Sequence, residues 1–319
     1  MTLARLVEHA ADKTRFQTIE NYVEFARAFL DYAAGNLQAV IVSSNEPHYN
    51  FWQFKKEGHH NLTRPINSNL MFKAAESDQF ARQFIEVLAH LREPAADTPV
   101  NRDRVNRSVY TLQQCIGAAL DALPSGKSNT ARKINGDLFE RLICLLLKRL
   151  GVDCTTGTVK VPIKMDGAEA FTMSYQHDLI IKSGDFVKTI GSVKTSSKDR
   201  IDKIFVDKFL LAKLTGKNVP HVAIFLNDVQ RKVIGKKNAP RGFGINSTFL
   251  PGHFKGYTVK LNPLDGVYYC DIRPNMRTEP ILRDHIKTFD HFLFGDIWAL
   301  LNRAAIPAAV EPGEAGNAK

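Results

Sequence analysis

Asp178 opens the apolar run LIIKS and Lys194 closes the run KTIGSV. If those two strands pair as neighbours, a carboxylate and an amine meet at one end of a sheet. Phosphodiester hydrolysis asks for that pairing: an acid to hold a divalent metal that activates water, and a lysine to orient the water or stabilise the anion. A second carboxylate two residues before the lysine would complete the set, but Ser192 stands there. Asp207 can supply it. In the helix after Lys194 the apolar stripe Ile201, Ile204, Leu211 and Leu214 skips a position, and Asp207 falls in the gap. An acid on the inner face of an amphipathic helix needs a partner, which a metal would be. Glu140, on the helix before the strands, is a further candidate, and pairing with Arg141 or Lys148 is its structural alternative.

The stretch GSVKTSSKDRIDKIFVDKF continues from the lysine at once into Lys198, Asp199 and Arg200. If that lysine lies at a scissile phosphate, the residues that follow it can come near adjacent base edges. Arg200 can donate to guanine O6 and N7, Asp199 can accept from cytosine N4, and Lys198 can read a second guanine or hold a phosphate. The same three residues also suit a solvated turn, with Asp199 capping the next helix. SGKSN at 125–129 lacks the upstream glycine and preceding strand of a nucleotide-binding loop. Its amides and Lys127, lying before a helix start, can still hold a DNA phosphate.

The elements that must carry these residues follow from hydrophobic period. Helical spacing runs through IENYVEFARAFLDYAA and through 78–91, so the first hundred residues read as mostly helical. Between those helices, AVIVSS is a short strand. NEPHYNFWQFKKEGHHNLTRPINSN reads as an irregular arm whose Trp52, Phe54, Lys55, Lys56, Asn61 and Arg64 either contact DNA or pack on the domain. EPAADTPVNRD marks a boundary near residue 100. ARKINGDLFERLICLLLKRLGV is an amphipathic helix, and from Gly151 the period changes to strands in TVKVPI, AFTMSY, HDLIIKS and KTIGSVKT. A helix from Ile201, a buried strand PHVAIFLND, strands GYTVKL and GVYYCDI, and a closing helix RDHIKTFDHFLFGDIWALLNR complete the chain. The expected organisation is a helical region over 1–100 for DNA grip or dimerisation, a catalytic domain over 101–303 and a flexible tail over 304–319.

Composition narrows the partners. Lysine and arginine outnumber aspartate and glutamate 43 to 33, a formal charge of +10, which suits a polyanion such as nucleic acid. Cys115, Cys144, Cys154 and Cys270 have no metal-ligand spacing and read as reduced, buried thiols of a cytosolic protein. His59 with His60 has no acid or cysteine at zinc-like spacing. No apolar run approaches membrane-spanning length.

A helix bearing Glu140, strands bearing Asp178 and Ser192-x-Lys194, then a helix with an acid resemble the PD-(D/E)XK nuclease superfamily. More narrowly, they resemble type II restriction endonucleases that recognise CCGG or CC-N-GG cores. In that branch the second acid sits on the following helix, a serine or threonine takes its strand position, and a basic and acidic cluster after the lysine reads the C and G bases. ARKINGDLFE also resembles the basic residues, glycine and glutamate of the first core helix, which adds Arg132 and Lys133 as DNA contacts. The match spans roughly 129–226. His177 stands where the family has proline, and Asp207 and Lys198 stand where it has glutamate and arginine. The resemblance implies an α/β fold with a mixed central sheet flanked by helices, and Mg2+ held by Asp178 and Asp207. It also implies a homodimer or tetramer on palindromic double-stranded DNA in a bacterial or archaeal cytoplasm. A junction or repair nuclease of the same superfamily and a noncatalytic DNA-binding protein are the alternatives.

Overall fold

The computed structural model describes residues 1–56, 59–165, 168–198, 200–235, 242–303, 306–307 and 310–312. The chain forms two compact units, Met1–Leu142 with Leu226–Phe249, and Ile143–Phe225 with Leu250–Lys319.

The first unit begins with α1 (Leu3–Ala11) and α2 (Ile19–Asn36), the latter started by a capping box in which Thr18 and Asn21 satisfy each other's backbone amides. β1 (Leu37–Val42), β2 (Tyr49–Lys56), β3 (His59–Leu62) and β4 (Ile66–Asn67) follow as an antiparallel sheet centred on β2. The stretch expected to be an irregular arm is therefore strands. Both faces of β2 are covered, which hides the usual alternation: Tyr49 and Phe51 pack with Val229 and Ile245, while Trp52 and Phe54 lie against Phe29 of α2. That packing is the domain-bound alternative for the aromatic segment.

α3 (Ser77–His90) and α4 (Pro99–Leu120) complete the helical layer, and α4 packs on α1, α2 and α3. That packing is why the unit runs past residue 100, on into α5 (Ser128–Arg149).

The second unit is built on a mixed sheet. β5 (Asp153–Met165), β6 (Ala168–Ser183) and β7 (Phe186–Lys194) form an antiparallel meander, in which AFTMSY and HDLIIKS are one strand. α6 (Ile201–Thr215) ends at Gly216, whose φ of 65° is the left-handed conformation glycine adopts without strain. It leads to β8 (His221–Phe225), parallel to β7. β9 (Val229–Ile234) and β10 (Gly242–Ser247) are a two-stranded ladder of the first unit.

GYTVKL, expected as a strand, belongs to α7 (Pro251–Lys260). Proline sits in its first turn, and Phe254 and Thr258, four residues apart, are its buried positions. β11 (Gly266–Tyr269) runs parallel to β8. α8 (Pro274–Thr278) follows, and the closing helix expected over 283–303 forms only in part: its start is taken up by α9 (Leu282–His285) and by β12 (Ile286–Thr288), which adds to β11 with Ile286 opposite Val267, while from Phe289 a helical run continues through α10 (Phe289–His291), a π-helical turn at Phe292–Asp296 and α11 (Ile297–Leu301).

In the tail, β13 (Ile306–Pro307) pairs with Phe186–Val187 of β7 and β14 (Val310–Pro312) with β5. β8 covers β7 only from Ile190 onward, which leaves the start of β7 open to β13.

The core under the sheet gathers Val159, Val161, Tyr175, Ile180, Val187, Ile190, Leu211 and Val219. At Gly191 the sheet admits no side chain. A Cβ there would lie 2.9 Å from Val222 Cγ2 and 3.2 Å from Leu179 Cδ2 and from the Val222 carbonyl. Gly191→Ala is expected to destabilise the protein by about 1 to 3 kcal/mol through overpacking, read as a lower urea midpoint with an unchanged m-value. A midpoint equal to wild type would show that the β7–β8 seam is looser than its geometry.

Candidate active site

The β6–β7 register, with Leu179 opposite Gly191, brings Asp178 alongside the Ser192–Lys194 end of β7. Lys194 Nζ lies 2.5 Å from Asp178 Oδ2, and the same oxygen accepts the Val193 amide at 2.9 Å. Asp178 is thus held by backbone as well as by charge. Its side chain is 17% exposed and that of Lys194 is 31% exposed, so the pair is open to a ligand at the sheet end. Ser192 shares a strand face with Lys194 and registers with Ala223 of β8.

Asp207 is half-buried on α6, and its carboxylate pairs with Lys203 one turn earlier. It lies close enough to His177 for both its charge and that of Asp178 to act on the imidazole. Among the described residues no group of three or more His, Cys, Asp or Glu side chains is arranged to hold a metal. Asp178 and Asp207 are hard-oxygen groups of the kind that would suit Mg2+, which takes one or two carboxylates and fills its shell with water and phosphate.

Beneath the acids lies a histidine pair that sequence reasoning did not assemble. His177 is 4% exposed and His221 is fully buried, with ring centroids 5.7 Å apart edge to face. Only the topology brings them together, since His177 is in β6 and His221 starts β8. Burial pushes His177 down to about 4, against the opposing pull of Asp207 and Asp178. Burial likewise holds His221 well below the ordinary range, helped by the charge of its neighbour His177.

The unfolded chain therefore binds more protons than the folded one below about pH 6.5. Stability is full above that pH and falls as pH drops toward 4. His177 alone accounts for a loss of about 3 kcal/mol across the window. Urea unfolding at pH 7 and pH 4.5 in chelator should show this loss reduced in His177→Gln; equal losses in variant and wild type would exclude the pair as its source.

Of the three residues expected to read bases, Lys198 and Arg200 are exposed, and Asp199 lies outside the described residues. Arg200 takes the N-cap position of α6 and makes no side-chain cap hydrogen bond. Lys127, Arg132 and Lys133 are exposed at the start of α5, in the first unit. Glu140 is half-buried further along that helix. Arg64 is engaged within the fold: its Nε and Nη2 donate to the Asp121 carboxylate at 3.0 and 2.8 Å, and its amide does so at 2.7 Å. A forked contact from Arg64 to a base would require that pair to open.

No helix among the described residues is long and apolar enough to cross a membrane. No protein-family profile matches the chain, and no curated protein sequence does. Solved structures do. The crystal structure of the type IIP restriction endonuclease Kpn2I matches with a TM-score of 0.67 and 21% identity, over 94% of this chain and 97% of that one. The restriction endonuclease PspGI in complex with substrate DNA matches at 0.41 and 13%, over 70% and 92%. The chain thus has the fold of a type II restriction endonuclease, a mixed central sheet flanked by helices, with Asp178 and Lys194 in contact at one end of that sheet.

Proposed function

We propose that the protein is a type II restriction endonuclease that makes magnesium-dependent double-strand cuts in DNA at a short palindrome with a CCGG or CC-N-GG core. The observation that carries this reading is the Asp178–Lys194 contact at the open end of β6 and β7, in a chain with the Kpn2I fold over 94% of its length.

Asp178 and Asp207 would hold Mg2+, which supplies Lewis-acid stabilisation of the phosphorane and a water of lowered pKa. The Val193 amide fixes the Asp178 carboxylate. Lys194 would orient the attacking water and offset charge on the phosphate. Ser192 lies on the same strand face as Lys194, where it donates to or accepts from that water.

Lys198, Asp199 and Arg200 read the inner C·G pairs, and Arg200 is exposed at the N-cap position of α6. Lys127, Arg132 and Lys133, at a helix N-terminus, hold DNA phosphates. A palindrome cut in both strands by one active site per chain calls for a two-fold symmetric homodimer.

The test is digestion of a mixed plasmid and phage DNA panel in magnesium, beside Lys194→Ala, with fragment ends sequenced. Discrete fragments sharing a CCGG or CC-N-GG core, absent with the variant, are the expected result. A ladder with no shared sequence would indicate a structure-directed nuclease. Intact DNA under every divalent metal, with tight binding, would indicate a DNA-binding protein.

A further inference from the structure

All four cysteines are buried and free, yet two of them meet. Cys144, on α5, and Cys154, on β5, place their sulfur atoms 2.8 Å apart, with the Cys154 thiol donating to Cys144 Sγ. Cys144 Sγ in turn lies 3.2 Å from the Cys154 carbonyl oxygen. The turn from α5 into β5 sets this contact, because β5 starts at Asp153 directly after the helix closes at Arg149 and Gly151. Both residues belong to the second unit, and Cys154 registers with Ile181 on β6, the strand that carries Asp178.

The two thiols are not equivalent. Cys144 is 8% exposed and Cys154 1% exposed. The hydrogen bond from Cys154 and the charge of Lys148, one turn along the helix, favour the Cys144 thiolate. The same hydrogen bond and burial keep Cys154 protonated. Cys144 is therefore the attacking sulfur and Cys154 the resolving one.

We propose that Cys144 and Cys154 are an oxidisable dithiol that closes to an intramolecular disulfide on reaction with a low-molecular-weight disulfide, fastening α5 to β5 reversibly. The Cys144 thiolate attacks one sulfur of the small disulfide and expels the other as thiolate, forming a mixed disulfide. Cys154, losing its proton, then attacks Cys144 Sγ and expels the second small thiolate. Two protein thiols are oxidised and one small disulfide is reduced to two thiols, so electrons and protons balance. The inference is independent of what the protein does to DNA.

The experiment incubates the whole purified chain with glutathione disulfide and then alkylates it in denaturant without reductant for intact-mass and peptide analysis. Expected are two fewer alkylations than in the untreated chain, a peptide pair linking 144 to 154, and full reversal by dithiothreitol. Cys154→Ser should stop at a glutathione adduct on Cys144, and Cys144→Ser should take up none at Cys154. The closed form should melt about 5 °C higher than the dithiol, as a short closed loop restricts the unfolded chain. Four alkylated cysteines after oxidation, or a linkage through Cys115 or Cys270, would overturn the proposal using the wild-type chain alone.

Discussion

Lys194→Ala is expected to lower the rate of DNA cleavage at least about a thousandfold while DNA binding in the absence of divalent metal changes less than about threefold. Removing one preorganised charge donor from a transition state costs about 100 to 1,000-fold. Here the lysine would also lose its role in orienting water, which adds to the deficit.

The fold should tolerate the change. Asp178 keeps its hydrogen bond from the Val193 amide, and a partly exposed ion pair contributes no more than about 1 kcal/mol. A melting temperature close to wild type with cleavage abolished would separate chemistry from folding. Cleavage within tenfold of wild type would remove Lys194 from the mechanism and with it the reading of this sheet end as the active site. Asp178→Asn keeps the shape and one acceptor for the Val193 amide but loses the charge, so it should abolish cleavage at every magnesium concentration. Asp207→Asn discriminates further. If Asp207 holds metal, raising magnesium should recover part of the lost rate; if it serves only Lys203, the rate should match wild type at all concentrations.

The pairing of Asp178 with Lys194 was legible in the sequence because each closes or opens an apolar run, and strand ends in a sheet are where such residues can meet. The acid on α6 was legible as a gap in an apolar stripe, though the partner found for it within the chain is Lys203, in the preceding turn of its own helix. Sequence period failed where both faces of an element are covered or where a helix is built on few buried positions. Tyr49 to Phe54 carries apolar groups on both strand faces and so lost its alternation. Gly256 to Leu261 has β-branched and aromatic residues that favour a strand, but Phe254 and Thr258 at four-residue spacing give α7 its buried side. The segment 283–303 looked like one helix; it is helical from Phe289, but pairing of β12 with β11, a long-range contact no local pattern reports, takes up its start. The buried histidine pair and the ion cluster around Lys208 were likewise invisible, since their members come from separate elements.

That ion cluster sets the largest expected effect on stability. Lys208 is the residue after Asp207, and its side chain is 3% exposed. Its ammonium lies 2.6 Å from Asp265 Oδ2, which also accepts the His221 amide at 2.8 Å, while Asp265 Oδ1 accepts from Arg303 at 2.6 Å. Asp265 is therefore the common partner of α6, β8 and the end of α11. Asp265→Ala leaves the buried ammonium of Lys208 with no countercharge, its remaining partner being the Pro263 carbonyl, and leaves the His221 amide without its acceptor; it is expected to cost about 3 to 5 kcal/mol in urea unfolding. Lys208→Met should cost less, because Asp265 keeps Arg303 and the His221 amide and the methionine fills the same space. The double variant should be more stable than Asp265→Ala alone, since the stranded charge is gone, and that reversal separates an uncompensated charge from simple loss of packing. Because the cluster pins α6 one residue from Asp207, Asp265→Ala should also weaken cleavage under conditions where it remains folded. A cost below about 1 kcal/mol for Asp265→Ala would mean that water reaches Lys208 and that α6 is held by its apolar face alone.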